Sequence, residues 1–308
     1  MPRVSVVIAT YNRAALLEEA LASVLRQSYQ DYEIVVADDG SSDDTAERVA
    51  KHGRRARHLS LVHSGKPSIA RNAAVRSASG EYLAFLDSDD LWEPLKLERQ
   101  IELLESDSSY VMAYCDALFL DRDGRLLWRH AQRERLREGR VFGSLLGGNF
   151  IPLPTVVARS GDVRAAGAFE EWLTIGEDWH LWMKLAARGR VGCVKEPLCR
   201  VRVLPGGITT DRTSLFEDAV KVLRDVETRF PAECVRHRGQ LKRGRARVLS
   251  MLGRNYLFAG RTAEARRVFS EALRNFPPRW DALTFLAMAL LGRRAVLALR
   301  SVKKKAWP

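Results

Sequence analysis

The stretch RVSVVIATYNR, residues 3–13, decides the fold class. Its first seven residues are rich in β-branched side chains, as is typical of a buried parallel strand, and polar side chains follow at once. The next stretch, residues 14–27, has the apolar spacing of a helix. A strand that leads directly into a helix is the repeating unit of parallel α/β sheets, so this opening predicts one.

The strand–helix unit recurs along the first ninety or so residues. Further strands are predicted over 32–40, 57–63 and 81–87, with helices over 42–52 and 67–78 between them. This alternation predicts a doubly wound α/β sheet whose ligand lies beyond the C-terminal ends of the strands. The first strand is not followed by GxGxxG, which disfavours the usual dinucleotide-binding fold.

Mixed elements are predicted for the rest of the chain. We expect helices over 92–105, 176–189 and 215–230, a strand over 110–127 that turns at Asp123-Gly124, strands over 154–160 and 196–210, and irregular structure over 129–150. The sequence therefore predicts an α/β domain over 1–211 and a helical, basic extension over 212–308.

Composition indicates a cytoplasmic protein. The 308 residues are 46% hydrophobic, which is enough for a sizeable core. Four irregularly spaced cysteines predict reduced thiols, and neither a disulfide framework nor a zinc site. We see no signal peptide and no apolar stretch that reaches the roughly 18–20 residues of a membrane span.

The net charge of +12 is concentrated at one end of the chain. Residues 1–210 carry 28 Lys and Arg against 29 Asp and Glu, whereas residues 211–308 carry 22 against 9. Such an extension suits an acidic surface, and an Arg-rich solvated helical face explains it equally well. We predict a peripheral contact with the inner face of the membrane through this basic tail and no nucleic-acid partner.

The extension also contains a spacing similar to that of a tetratricopeptide repeat. Residues 249–278 match one helix pair of that kind, but stable arrays usually need about three repeats. We therefore expect a single helical hairpin. The apolar and then basic segment 282–307 fits a helix at a membrane interface or a core helix with a charged end.

Acidic residues crowd the end of the predicted strand over 81–87. Asp87, Asp89 and Asp90 lie within four positions, and neighbouring carboxylates repel each other unless a cation lies between them. A surface acidic loop is the alternative, although the core-like strand before it argues against that interpretation. Polar residues also follow the first two strands, at residues 10–12 and 38–39, which predicts a single crevice at these strand ends.

Four motifs in this order resemble family 2 glycosyltransferases with the GT-A fold. They are VSVVIATYNR, VVADDGSSDDT, GKPSIARNAAVRSASGEYLAFLDSDD and GEDWHLWMKLAARG. The resemblance covers roughly residues 3–210 and implies an inverting, metal-dependent transferase. Its donor would be a nucleotide-diphosphate sugar, with UDP the expected nucleotide, and its acceptor a glycan or a lipid-linked molecule of surface polysaccharide synthesis.

The resemblance also assigns residues to the donor. Tyr11 would offer a stacking face to the base, and Asp39 would accept a hydrogen bond from a ring N–H, although Asp38-Asp39-Gly40 alone also fits a plain turn. Arg71 would contact the donor, and a surface helix charge is the alternative for it. The full predicted donor set is Thr10, Tyr11, Asn12, Asp39, Arg71, Asp87, Ser88 and Arg202.

By the same resemblance, the DSD at 87–89 matches the DxD metal motif of the family. Asp89 would ligate Mg²⁺ or Mn²⁺, while Asp87 would join it as a metal ligand or contact the ribose. A carboxylate cannot touch a diphosphate directly, so a divalent cation must bridge them, and oxygen ligands suit these hard cations.

Glu177-Asp178 resembles the catalytic acids of the family. Asp178 would be the general base, and Glu177 would orient the base or the acceptor. Acids that complement a helix dipole also explain the position. Trp179 and Trp182 fit an acceptor platform or plain packing, and Trp92 fits a sugar-binding face or the core equally well.

One position departs from the family. Leu204 stands where many relatives have a histidine that assists the metal or the phosphate, so we expect either a weaker metal affinity or phosphate binding by Arg202 instead. The glycines and threonines of residues 206–210 predict a loop that closes over the donor.

Two other functions fit parts of the sequence. A sugar-phosphate nucleotidyltransferase shares the layered fold and the need for metal, but ATYNRAA lacks the glycine-rich loop that such an enzyme requires. A non-enzymatic scaffold with a peptide-binding tail conflicts with the single repeat and the intact acids.

Overall fold

The computed structural model describes residues 1–204 and 211–275, together with positions 283, 286, 287 and 290. The chain divides into two compact units. One comprises Met1–Leu145 and Asn149–Gly207, and the other comprises Leu146–Gly148 and Ile208–Pro308. Within the described residues, no helix is long and apolar enough to cross a membrane.

The described part of the chain contains nine strands: β1 Val4–Thr10, β2 Tyr32–Asp38, β3 Ala56–Ser60, β4 Tyr82–Asp87, β5 Leu91–Trp92, β6 Tyr110–Leu120, β7 Leu126–Arg129, β8 Val156–Arg159 and β9 Arg190–Arg202. Its helices are α1 Ala14–Leu25, α2 Thr45–Ala50, α3 Pro67–Ser77, α4 Lys96–Ser106, α5 His130–Arg133, α6 Phe142–Leu145, α7 Ser160–Ala165, α8 Glu177–Ala186, α9 Arg212–Arg229, α10 Pro231–Arg236, α11 Arg238–Phe258 and α12 Thr262–Asn275.

All nine strands belong to one mixed sheet with the order β3-β2-β1-β4-β8-β6-β9-β5, and β7 pairs with β6. The first four strands of this order are parallel. From β8 onward the directions are mixed, because β8 is antiparallel to both β4 and β6. The predicted α/β fold of GT-A type, a doubly wound mixed sheet followed by a helical C-terminal region, is confirmed.

The core of the first unit forms where helices cover the sheet. Val6, Ile8 and Ile34 are fully buried on the central strands, and Leu17 and Leu21 of α1 belong to the same cluster. The spacing of Leu17 and Leu21 puts both on one face of α1. Each such side chain contributes about 1.5–3 kcal/mol by burial, so this cluster holds the central strands and their ends in place.

The structure corrects three predicted boundaries. Trp92 is not the start of a helix but lies in β5, which pairs with β9, and the helix begins only at Lys96. The strand β9 begins at Arg190 and not at residue 196, because the glycine at 192 hides a strand from the hydrophobic pattern. The segment 129–150, expected to be irregular, contains the two short helices α5 and α6.

The second unit contains the predicted helical hairpin. The helices α11 and α12 share a cluster that includes Tyr256, Ala265 and Phe269, and Gly260 joins them with φ +82°. A Cβ on Gly253 would lie 2.7 Å from the Phe269 ring, so glycine permits this close approach. The likeness to a tetratricopeptide repeat stays a prediction. The segment 282–307 lies almost entirely outside the described residues.

Candidate active site

The ends of β1, β2 and β4 form one edge of the sheet. Thr10 is in register with Asp38, and Ala9 with Asp87, so the polar residues that follow these strands lie side by side. The hydroxyl of Thr10 is buried and has no hydrogen-bond partner among the described residues. Because an unpaired buried hydroxyl is costly, this oxygen is suited to a ligand bound at the strand ends.

Asp39 is held by the loop that follows β3. Its Oδ1 accepts hydrogen bonds from the backbone and hydroxyl of Ser64, and its Oδ2 accepts from Gly65 N and lies 3.1 Å from His63 Nδ1. His63 Nδ1 also lies 2.9 Å from the backbone carbonyl of Asp39, which is its hydrogen-bond partner. A carboxylate offers about four lone-pair sites, and the three hydrogen bonds from the loop leave one acceptor site for a ligand.

Tyr11 and His63 stack directly on each other. Their ring centroids are 4.0 Å apart with an interplanar angle of 20°. Tyr11 keeps 42% of its surface exposed, which leaves room for a flat ligand beside the pair. Asn12, at φ +49°, accepts from Ser42 N through its side chain and donates its own N–H to Ser41 Oγ. Asn12 thus ties the loop after β1 to the loop after β2.

The acid loop after β4, residues 87–90, is built around arginines. Asp87 pairs with Arg71, and Asp89 pairs with Arg13 at 2.5 Å. Burial, and then the charge of Asp87, raises the pKa of Asp89 above its ordinary value. Two of the three predicted acids therefore have a cationic partner, and the third, Asp90, accepts a hydrogen bond from Arg202 N at 2.8 Å.

The guanidinium of Arg202, a candidate for phosphate binding in place of the missing histidine, contacts the protein itself. Its Nη1 donates to the carbonyl of Asp89 at 3.1 Å, and its Nη2 pairs with Glu19. Ser88, between the two acids, is buried. Arg202 thus fixes the acid loop from β9, and Leu204 follows two residues later, while residues 205–210 lie outside the described part.

The acid loop fits a divalent cation only as a partial ligand set. Carboxylate oxygens of Asp87 and Asp89 are suitable donors for Mg²⁺ or Mn²⁺. Among the described residues, no group of three or more His, Cys, Asp or Glu side chains could hold a metal ion. Mg²⁺ is commonly bound by one or two carboxylates with phosphate and water as the other ligands, so the loop suits a cation that arrives with a diphosphate.

The predicted catalytic acids, Glu177 and Asp178, begin α8. Gly176 precedes the helix with φ +83°, and Glu177 is buried while Asp178 is partly buried. Burial, followed by the neighbouring charge of Glu177, raises the pKa of Asp178 to about 7. A carboxylate with such a pKa can accept a proton near neutral pH, as a general base must.

Arg71 joins the two acid groups. It is 8% exposed, and its two terminal nitrogens donate to Asp87 and to Glu177. The charges of Asp87 and Glu177 raise the pKa of Arg71, although burial alone would lower it. Arg71 is therefore a buried cation between the predicted donor side and the predicted base.

The three tryptophans near these acids are packed in the interior. Trp179, Trp182 and Trp92 are 5%, 0% and 3% exposed, and each donates its indole N–H to a backbone carbonyl. The packing interpretation therefore fits them, and the alternative of a sugar platform does not.

Three residues of the site were not singled out from the sequence. Arg13 pairs with Asp89, His63 stacks on Tyr11, and Asn149 donates to Asp178 Oδ2 at 3.0 Å. Arg13 comes three residues after the end of β1. This position near a strand end could have indicated a place at the crevice. His63 and Asn149 lie in loops whose sequences carry no recognisable pattern.

Comparison with known proteins identifies the family. Residues 5–158 match the family model described as Glycosyl transferase family 2, and the chain belongs to this family. It is 32% identical over 210 residues to an uncharacterized glycosyltransferase of Rickettsia felis, which covers 68% of this chain and 34% of that protein. The chain thus spans about a third of the length of the first curated relatives it matches.

Other relatives carry more specific names. A putative teichuronic acid biosynthesis glycosyltransferase of Bacillus subtilis, TuaG, is 26% identical over 234 residues, with 73% of this chain and 89% of that protein covered. The crystal structure of S. aureus TarS in complex with UDP has a TM-score of 0.65 at 19% identity, covering 93% and 90%. The mannosyltransferase PcManGT from Pyrobaculum calidifontis, in complex with GDP-Man and Mn²⁺, has a TM-score of 0.61 at 20% identity, covering 99% and 87%.

Proposed function

We propose that this protein is an inverting, metal-dependent glycosyltransferase. It transfers a sugar from a nucleotide-diphosphate donor, with UDP the expected nucleotide, to a glycan or lipid-linked acceptor of the cell envelope. The observation that carries this proposal is the position of Arg71, which pairs with Asp87 of the acid loop and with Glu177 beside Asp178. A donor-binding acid group and a base with a raised pKa thus share one site.

The donor would lie along the ends of β1, β2 and β4. Its nucleobase would stack beside Tyr11 and His63 and donate to the remaining acceptor site of Asp39, and the buried hydroxyl of Thr10 would gain a partner. The UDP complex of the structural neighbour TarS supports a nucleotide donor at this fold.

Asp89 and Asp87 would hold Mg²⁺ or Mn²⁺ together with the diphosphate. When bound, the cation supplies Lewis acidity that stabilises the departing nucleoside diphosphate. Arg13 and Arg71 neutralise the same carboxylates, so they keep the acid loop together in the absence of the donor. The Mn²⁺ complex of PcManGT supports a metal role.

Asp178 would take the proton from the acceptor hydroxyl as that hydroxyl attacks the anomeric carbon. The new glycosidic bond forms as the bond to the diphosphate breaks, and the electron pair leaves with the nucleoside diphosphate. Direct attack from the face opposite the leaving group inverts the anomeric carbon. Glu177, held by Arg71, keeps the first turn of α8 in place so that Asp178 faces the acceptor.

The acceptor is proposed from the relatives and the charge of the chain. TuaG carries a name from teichuronic acid biosynthesis, which supports an envelope polymer as acceptor. The 22 Lys and Arg within residues 211–308 suit a contact with anionic lipid at the inner face of the membrane. This contact would keep the enzyme beside a lipid-linked acceptor.

A donor screen tests the proposal. The purified protein is incubated with UDP-, GDP- and dTDP-sugars and Mn²⁺, and nucleoside diphosphate release is measured with and without EDTA. We expect release from one nucleotide class and its loss with EDTA. Release of inorganic diphosphate from a nucleoside triphosphate and a sugar phosphate would instead show a nucleotidyltransferase, and no turnover under any condition would contradict the proposal.

A further inference from the structure

The carboxylate of Asp178 is held at both oxygens by neutral donors. Its Oδ1 accepts from the backbone N–H of Trp179 at 2.6 Å, and its Oδ2 accepts from Nδ2 of Asn149 at 3.0 Å. The first contact belongs to the helix that carries Asp178. The second comes from a residue 29 positions earlier, so Asn149 is the partner that decides where Oδ2 points.

Asn149 is itself fixed, although its side chain is exposed. Its Oδ1 accepts from the backbone N–H of Ile151 at 3.1 Å. This contact sets the amide orientation, because the opposite orientation would place Oδ1 against the Asp178 carboxylate, where two oxygen acceptors would face each other.

The helix that carries Asp178 also holds the chain on both sides of Asn149. Trp179 Nε1 donates to the carbonyl of Leu145 at 2.8 Å, and Trp182 Nε1 donates to the carbonyl of Ile151 at 3.2 Å. Both indoles are buried and so keep these contacts away from water. These contacts hold the backbone on both sides of Asn149 against α8, which places the amide beside the carboxylate of Asp178.

We propose that Asn149 is a positioning residue that aims the carboxylate of Asp178 at the acceptor hydroxyl. The inference rests on the proposed function, in which Asp178 is the general base. A carboxylate held at one oxygen rotates about its Cβ–Cγ bond, because this terminal torsion is broad. The amide removes that freedom, and a base that is misaligned by about 1 Å can lose roughly a hundredfold in rate.

The pKa of Asp178 gives a second way to detect the contact with Asn149, because it depends on the groups around the carboxylate. Glu177 and Asp87 disfavour its ionised form, whereas Arg71 and the Trp179 N–H favour it. A hydrogen bond from the Asn149 amide also favours the ionised form. Loss of that amide should therefore raise the pKa of Asp178 and move the acidic limb of the rate profile to higher pH.

The test compares Asn149→Asp and Asn149→Ala with the wild-type protein and with Asp178→Ala. Asparagine and aspartate have nearly the same shape, so Asn149→Asp preserves packing but replaces the donor by an acceptor. Turnover is measured as hydrolysis of the best UDP- or GDP-sugar by water, which needs no identified acceptor. Asn275→Ala is a matched control in α12, whose side chain donates to the carbonyl of Glu271.

We expect both Asn149 variants to lose at least about tenfold in kcat while the KM for the donor stays within about twofold, since the interaction acts on the base and not on donor binding. The acidic limb should move up by roughly half a pH unit in Asn149→Ala. In an Asp178→Asn background, Asn149→Ala should add no further loss. Thermal unfolding and UDP affinity would show that the variants remain folded.

Two results would overturn the inference, and they differ from the failure of the proposed function. Wild-type kcat and an unmoved acidic limb in both Asn149 variants, beside an inactive Asp178→Ala, would show that Asp178 acts without this amide. Activity retained by Asn149→Asp alone would show that the side chain only fills space. No hydrolysis by the wild-type protein with any nucleotide sugar would instead overturn the proposed function, and the positioning role with it.

Discussion

Arg71 Nη2 lies 2.7 Å from Asp87 Oδ1, and the same guanidinium pairs with Glu177. This buried cation thus connects the end of β4 with the start of α8. Because a guanidinium is planar and presents several N–H donors in fixed directions, it can serve two carboxylates at once. The two halves of the proposed site are therefore held by one side chain.

Loss of this side chain should destabilise the fold. Arg71→Ala leaves two carboxylates without their buried partner, and we expect a loss of about 3–5 kcal/mol in the free energy of unfolding, measured by urea denaturation. Arg71→Lys should also lose stability, because an ammonium cannot span both acids. Arg76→Ala, on the exposed side of the same helix, should stay within about 0.5 kcal/mol. An Arg71→Ala variant as stable as the wild-type protein would contradict this role.

The pH dependence of transfer should follow Asp178. Its pKa of about 7 lies well above the ordinary value of 3.8, so the base is protonated and inactive at low pH. We expect the rate to rise about tenfold per pH unit below 7 and to level off above it. Burial is the main cause of this raised pKa and the charge of Glu177 the second, so Glu177→Gln should move the acidic limb part of the way to lower pH. A flat profile between pH 5 and 8 would argue against Asp178 as the base.

The same pKa makes a prediction for stability. Because the folded protein binds a proton at Asp178 more tightly than the unfolded chain, this group stabilises the fold fully below about pH 4, and that contribution is lost as the pH rises through 7. The variant Asp178→Asn carries no titrating group at this position. The difference in melting temperature, variant minus wild type, should therefore be more favourable to the variant at pH 8 than at pH 4, as measured by calorimetry. An unchanged difference between the two pH values would show that Asp178 keeps an ordinary pKa.

Metal dependence should reside in Asp89. Asp89→Ala should abolish donor turnover and weaken Mn²⁺ binding measured by paramagnetic resonance in the presence of UDP, because a hard cation loses a carboxylate ligand. Glu102→Ala removes an exposed acid from α4 and should leave both unchanged. Full Mn²⁺ binding by Asp89→Ala would show that the metal binds elsewhere.

Donor binding should depend on the contacts of Tyr11 and Asp39. Tyr11→Ala removes a stacking face worth about 0.5–1.5 kcal/mol, so the dissociation constant for UDP should rise roughly twofold to twelvefold. Asp39→Asn exchanges an acceptor for a donor at one oxygen, and it should weaken UDP binding by at least a similar factor. Calorimetry measures both. Unchanged UDP affinity in the two variants would show that the nucleobase binds elsewhere on the sheet edge.

Membrane attachment is tested through the basic tail. Deletion of residues 279–308 should lower binding to vesicles that contain anionic lipid, and salt should weaken the binding of the full chain, because the attraction between exposed charges is screened. Vesicles of neutral lipid serve as the control. Equal sedimentation of both proteins with anionic vesicles would show that the tail makes no such contact.

Local patterns were sufficient to predict much of the first half of the fold. The strands β1, β2 and β4 are short apolar runs that end in polar residues, so both their type and their shared edge follow from the sequence. The pattern failed at Trp92, where amphipathic spacing continues backward from α4 although pairing with β9 makes the residue part of a strand. A contact between residues so distant in sequence overrides local propensity.

The acids of the site were visible in the sequence, but their partners were not. Asp87 and Asp178 occur in charged clusters next to apolar runs. Asn149 lies in a glycine-rich stretch, and His63 follows a short strand, so neither shows its role without tertiary contacts. The pairing of Asp89 with Arg13 likewise depends on the adjacency of β1 and β4.

The hydrogen bond from Arg202 N to Asp90 has a consequence for synthesis of the chain. The acid loop obtains this contact from a residue 112 positions later. At a translation rate of about 5–20 residues per second, roughly 6–22 s pass between synthesis of the loop and synthesis of Arg202, which donates this hydrogen bond. During that interval three neighbouring acids lack part of their support, so the acid loop reaches its final set of contacts only after the ribosome has passed β9.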